Sequence, residues 1–147
     1  MVDVDELRSR YLNLEFARSN FVVPAGNAAT LARLAGETRA QYIDPDHPDF
    51  EVFPAYLASL SAGRHLPIDF PSLGGIPVDG GKAVACILPV PAGVALNGRT
   101  HLHDIYAKSG RSGRMVFLVS RMEIFDQENT LLALSDSRMV IRERGTA

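Results

Sequence analysis

The spacing of apolar and polar positions divides the chain into an N-terminal third with helical character and a C-terminal half made of strands. Phe21-Val22-Val23 is a short apolar piece ended by Pro24-Ala25-Gly26-Asn27. Asn27 is a suitable N-cap for a helix over Ala28 to Ala35, and Gly36 suits its C-terminal stop. Residues 37–54 lose all periodicity, and Pro45 and Pro48 force extended or turn geometry on Asp44 and His47 before them. Pro54 to Gly63 then offers Pro at the first helical position, small and apolar residues on every side, and a closing glycine. This pattern predicts a helix buried on most of its surface. Residues 64–81 hold Pro67, Pro71 and Pro77 with Gly74, Gly75, Gly80 and Gly81, a long connection of the kind that often carries function.

Beyond Lys82 the period changes to two, predicting strands over 82–90, 94–107, 114–126 and 131–142. In the third of these Val116, Leu118, Met122 and Ile124 share a face, and Arg121 and Glu123 point the other way. In the fourth, Ala133, Ser135, Ser137, Met139 and Ile141 alternate with Leu134, Asp136, Arg138 and Val140, and the buried face stays undecided. Asp126 to Asn129 reads as a tight hairpin turn and Gly110 to Gly113 as a looser one. One antiparallel sheet curled around one hydrophobic helix is the simplest α+β architecture that buries both.

Composition narrows the function. The 147 residues are 46% hydrophobic and 22% charged, with a formal net charge of −2. A chain of this length hides roughly 68–70% of its unfolded surface, enough for one self-supporting domain. The charge balance supplies no field for nucleic acid or an anionic membrane. A lone Cys86 permits neither an internal disulfide nor a cysteine metal cluster, which fits a reducing, cytoplasmic setting. No apolar run reaches signal-peptide or membrane-spanning length, so no membrane insertion is expected.

Candidate chemistry is sparse. Neither a phosphate-binding glycine loop nor a Gly-x-Ser-x-Gly elbow is present. His101 and His103, two apart in a strand, match a spacing used at metal sites, but no third ligand is placed with them, and surface or interface histidines are the preferred reading. His47 lies among Asp44, Asp46 and Asp49, where a carboxylate could orient it for proton transfer, or where it is simply an exposed loop histidine. Lys108, Arg111 and Arg114 form a basic hairpin tip suited either to a phosphate or a partner's carboxylates, or to a solvated turn.

Three stretches taken in order resemble a known family. They are Leu34-Ala35-Gly36-Glu37-Thr38-Arg39-Ala40-Gln41-Tyr42-Ile43-Asp44, the run from Asp79-Gly80-Gly81-Lys82 to Leu88-Pro89-Val90-Pro91-Ala92-Gly93, and Asp104 to Phe117. With the helix from Pro54 they span roughly 20–142, and together they resemble the MaoC-like dehydratases, in particular the N-terminal variant domain found in heteromeric enoyl-CoA hydratases and 3-hydroxyacyl dehydratases. The resemblance implies a single hot-dog domain over 1–147, an antiparallel sheet around a central helix. Active members carry Gly-Asp-x-Asn-Pro-x-His, whose Asp and His act on water across the α,β double bond of an acyl-CoA. Here the Asp slot holds Glu37 and the His slot Tyr42, while Arg39 and Ala40 replace the loop-shaping Asn and Pro. A phenol, with a free pKa near 10, is a poor base at neutral pH.

The resemblance therefore implies a non-catalytic, tail-accommodating subunit of a hydratase/dehydratase, a hydro-lyase of lipid metabolism. It would pair with a catalytic MaoC-like subunit as a heterodimer or heterotetramer. Its substrate would be carried as a CoA thioester, with no metal and no other cofactor. Tyr42, Phe53, Tyr56, Leu57 and Leu60 are the expected tail lining, with Lys108, Arg111 and Arg114 as candidates for phosphates or partner contact. Two alternatives stay open: a self-sufficient hydratase in which His47 with Asp44 or Asp46 replaces the dyad, and a non-enzymatic acyl-CoA-binding module.

Overall fold

Period-two alternation does become a sheet. The computed structural model describes residues 2–143. Its elements are α1 (Val4–Tyr11), β1 (Glu15–Val22), α2 (Ala25–Leu34), α3 (Ala40–Ile43), α4 (Pro54–Leu57), β2 (Pro77–Cys86), β3 (Ala95–Gly110), β4 (Gly113–Phe125) and β5 (Leu131–Arg142). The five strands form one sheet in the order β1-β3-β4-β5-β2, every neighbouring pair antiparallel. The α+β class and the sheet-over-helices architecture expected from the sequence are thus present.

The long strands follow their side chains. Val116, Leu118, Met122 and Ile124 of β4 all point inward as expected, and in β5 the inward set is Ala133, Ser135 and Ile141, which settles the undecided face. A bulge after Leu102 shifts the register of β3 and turns Ile105 back to the core. The hairpin tips differ from expectation. Gly110 pairs directly with Gly113, leaving a two-residue turn in which Gly113 takes φ +107°. The 126–129 turn is the wider one, shaped by the Asp126 carboxylate accepting from Glu128 N–H and Thr130 N–H at 2.9 Å each.

The helical third departs further. β1 was not anticipated, because Glu15, Arg18 and Asn20 dilute its apolar face. α2 begins three residues ahead of the expected start: Ala28 N–H bonds back to Pro24 C=O at 3.1 Å, so Pro24 rather than Asn27 occupies the cap. Gly36, at φ +86°, stops the chain as expected.

The largest difference is the helix expected over 54–63, which is one turn. After Leu57 the backbone tightens to three-residue bonds, Ser59 N–H to Tyr56 C=O and Leu60 N–H to Leu57 C=O, and Ser59 Oγ also donates to Tyr56 C=O at 2.6 Å. Serine hydroxyls compete for backbone groups in this way, and with Ser61 Oγ accepting from Gly63 N–H the helix cannot propagate. Leu57 is fully buried and anchors the turn on the sheet. That burial contributes roughly 1.5–3 kcal/mol.

The inner face of the sheet carries two apolar clusters. One gathers Val23, Leu57, Val90, Leu96, Ile124 and Leu132 beneath α2 and α4; the other gathers Leu7, Tyr11, Leu102, Ile105, Leu118 and Ile141 beneath α1. α1 is capped by Asp3, whose carboxylate accepts from Glu6 N–H, and held by Arg8, which donates to Asp104 Oδ1 and to Ile105 C=O. Between the clusters runs a polar seam of three buried residues, Thr100 on β3, Ser120 on β4 and Ser135 on β5.

Candidate functional site

The loop after α2 closes on itself. Arg39 donates to Glu37 through Nε at 3.0 Å and Nη2 at 2.9 Å, and the backbone N–H groups of Thr38 and Arg39 donate to the same carboxylate at 3.0 Å. The bond from the Arg39 side chain, then that from its backbone, holds the Glu37 carboxyl down at about 2, well below the usual 4.5. A carboxylate with four donors and so low a pKa is a weak base and no acid at neutral pH. Tyr42 is buried below it. The Arg39 guanidinium lies 4.8 Å from the Tyr42 ring centre and Phe53 meets that ring edge-on at 5.7 Å. A hydrogen bond with Glu51, then burial, raises the Tyr42 phenol above its ordinary value, so it keeps its proton. Arg39 therefore links the two dyad slots as a structural clamp.

His47 and its neighbours are committed to turn geometry. His47 Nδ1 accepts from Asp49 N–H at 3.0 Å, and Asp44 Oδ1 accepts from Asp46 N–H at 3.0 Å. Among the described residues no ion pair joins His47 to a carboxylate.

The hairpin cations do not converge. Arg114 donates to Glu143 and to Val2 C=O, tying the two ends of the described chain together. Lys108 sits over the stacked rings of Tyr106 and Phe117, 5.7 Å from each, and Arg111 is exposed in the turn. His101 and His103 touch through Nε2 and Nδ1 at 3.4 Å, and burial lowers the His101 pKa despite Glu123 at 3.5 Å. Among the described residues no three His, Cys, Asp or Glu side chains are grouped to hold a metal ion.

What the sequence reading did not anticipate is the seam. Where the helix from Pro54 fails to continue, residues 58–65 cross the sheet as an irregular roof held from below at its two ends, and Leu57 just before it is held in the same way. Ser120 Oγ donates to His65 C=O at 2.6 Å, Lys82 Nζ to Ala58 C=O at 2.9 Å, and Ser135 Oγ more weakly to Leu57 C=O at 3.4 Å. Beneath it lies a narrow cavity of about 40 Å³, bordered by Leu60, Thr100, Ser120, Met122, Ser135 and Ser137. It shares His65, Lys82, Ser120 and Ser137 with a wider groove of about 360 Å³ that runs past Pro77, Val78 and Asp79 on β2. Of the expected tail lining, Leu60 borders this cavity, Leu57 is wholly in the core, and Tyr56 packs against that core from outside. The serines gave one signal in sequence, Ser135 and Ser137 two apart in β5.

The outer groove ends at an open sheet edge. β2 pairs with β5 on one side only, and Ile76, Val78, Ile87 and Leu88 along and beside it are exposed, as is Cys86. Among the described residues no helix is long and apolar enough to cross a membrane.

No protein-family model and no curated protein matches the sequence. Solved structures do match. A MaoC-like dehydratase from Phytophthora capsici superposes with a TM-score of 0.67 at 16% identity over 99% of this chain, which spans only 52% of that protein. The ChsH1–ChsH2 complex from Mycobacterium tuberculosis gives a TM-score of 0.64 at 14% identity, over 98% of this chain and 91% of the matched one. The HadBC 3R-hydroxyacyl-ACP dehydratase complex of the same organism gives 0.59 at 14%, over 95% and 98%. At such identities the likeness is one of architecture, and it agrees with the resemblance read from the loop and hairpin motifs: the chain has the hot-dog fold of the MaoC-like dehydratases.

Proposed function

We propose that this chain is the non-catalytic, tail-accommodating subunit of a heteromeric enoyl-CoA hydratase or 3-hydroxyacyl thioester dehydratase. The observation that carries this reading is the closed Glu37–Arg39–Tyr42 clamp. Hydration needs one group to take a proton from water and another to deliver one to the substrate carbon, both on one face of the double bond. The clamp leaves Glu37 spent on four donors and Tyr42 buried and protonated, which supports a pair supplied by another chain.

Two features support a partner. The open edge of β2, flanked by exposed aliphatic side chains, has the character of a strand waiting for another sheet. Two of the similar structures, ChsH1–ChsH2 and HadBC, are complexes by their descriptions. The interrupted helix and the groove beside β2 provide room for a bulky acyl tail reaching across such an interface.

The test is hydration of short, long and steroid-like enoyl-CoA thioesters by the purified chain, alone and mixed with a short MaoC-like protein that carries the Asp/His dyad. The reading predicts no turnover alone and turnover in the mixture. Turnover by the chain alone, abolished by His47→Ala, would replace it with a self-sufficient enzyme. Thioester binding without turnover in either arm would leave the binding-module alternative.

A further inference from the structure

The seam beneath the 58–65 roof is a poor lining for a hydrocarbon. Thr100 is 4% exposed, and its Oγ1 is buried with no hydrogen-bond partner among the described residues. It borders the inner cavity, as does Ser137, and neither hydroxyl donates to the roof. The register fixes these groups relative to one another. Leu102, Ser120, Ser137 and Lys82 form one row across the sheet, and Thr100, Met122, Ser135 and Val84 form the next. Ser120 gives its proton to His65 C=O and Ser135 gives its proton to Leu57 C=O, whereas the Thr100 and Ser137 hydroxyls make neither bond and retain protons to give.

We infer that this cavity binds a neutral oxygen function, a keto or hydroxyl group, borne by the tail of the acyl ligand. This rests on the acyl-thioester reading above and adds to it which tails the subunit selects. An all-carbon tail would leave Thr100 Oγ1 as unsatisfied as it is in the unliganded chain and would cover the Ser137 hydroxyl with nothing in exchange, whereas an oxygen on the tail gives these hydroxyls an acceptor. A carboxylate is disfavoured for the opposite reason. Arg64, His65 and Lys82 also border the cavity, but all three are exposed and Lys82 Nζ is already given to Ala58 C=O; a carboxylate buried beside Thr100 would lie among hydroxyls, and a buried anion needs a paired charge. The size agrees: about 40 Å³ accepts one small polar group, and the contiguous groove of about 360 Å³ takes the remaining carbons.

The test measures dissociation constants of the full chain for three CoA thioesters of equal length: trans-2-decenoyl, its 9-oxo analogue and its ω-carboxy analogue. The oxo compound is expected to bind about tenfold more tightly than the alkyl one, the ratio that one good neutral hydrogen bond supplies. Thr100→Val, which keeps the shape and removes the hydroxyl, should bring that ratio close to one, and Ser137→Ala should lower it partially. Equal affinity for oxo and alkyl tails, tightest binding of the carboxylate, or an unchanged ratio in Thr100→Val would each overturn the inference. If no thioester binds, 2-octanone tests the cavity without CoA. A shift of the Thr100 methyl NMR signal that is saturable would keep the oxygen site and discard the thioester reading, and no shift would discard both.

Discussion

At the scale of single residues, two side chains in this protein are held in unusual states for opposite reasons. The Glu37 carboxylate accepts from four donors, and the Thr100 hydroxyl has no partner among the described residues. Because the folded chain holds the Glu37 carboxyl near 2 against 4.5 unfolded, its contribution to stability is fully present above the unfolded value and fades as pH falls through the folded one. Glu37→Gln should therefore lower the urea midpoint at pH 7 and converge on the parent as pH falls from about 4.5 toward 2. A constant difference across that range would show that the clamp is not electrostatic. Thr100→Val should act in the other direction and stabilise the unliganded chain by about 1 kcal/mol, since it removes an unsatisfied buried hydroxyl. Thermal unfolding reads this directly, and a loss of stability would mean that the hydroxyl has a partner in solution.

At the scale of elements, legibility followed periodicity. β3, β4 and β5 were plain because buried and exposed side chains alternate over most of their length. β1 was hidden by its charged and polar residues, and α2 was misplaced at its start because Pro24, without a capping side chain, does the work assigned to Asn27. Pro54 to Gly63 has the composition of a buried helix, and only the competition of Ser59 and Ser61 for backbone bonds explains why it stops at Leu57. Leu57→Ala should cost about 2–5 kcal/mol, as expected for emptying a fully packed site, and calorimetry or denaturant unfolding would measure it. The clamp loop was partly legible, since the missing dyad could be read from Glu37 and Tyr42, but the role of Arg39 in joining them is a matter of geometry alone. The seam was less so. Its hydroxyls come from three strands, and a serine within a strand looks like a surface residue until the register brings it beside others. The edge strand yields its own prediction. Val78 is exposed on β2, so Val78→Lys should leave the chain's own stability within about 0.5 kcal/mol while weakening assembly with a partner, read as native mass by sedimentation. Unchanged assembly would place the interface elsewhere.

At the scale of the whole molecule, the clamp, the seam and the edge suit the separate tasks of the thioester-processing assembly proposed above. The loop that would perform acid–base chemistry is locked, the space left by an interrupted helix is open toward β2, and β2 is an edge strand, paired with β5 alone, with an aliphatic border. In the reading proposed above, a hot-dog domain arranged in this way contributes a wall and a pocket, and its partner contributes the protons. The most direct measurement is kcat for enoyl-CoA hydration by the complex of this chain with a dyad-bearing MaoC-like protein. One preparation would carry Glu37→Gln, Tyr42→Phe and His47→Ala together in this chain, and a second would lack the dyad histidine in the partner. The account predicts a kcat within about twofold of the parent for the first, and a fall of about a hundredfold or more for the second, the contribution of a positioned acid or base. A hundredfold fall in the first preparation would contradict it, because it would put the catalytic protons in this chain.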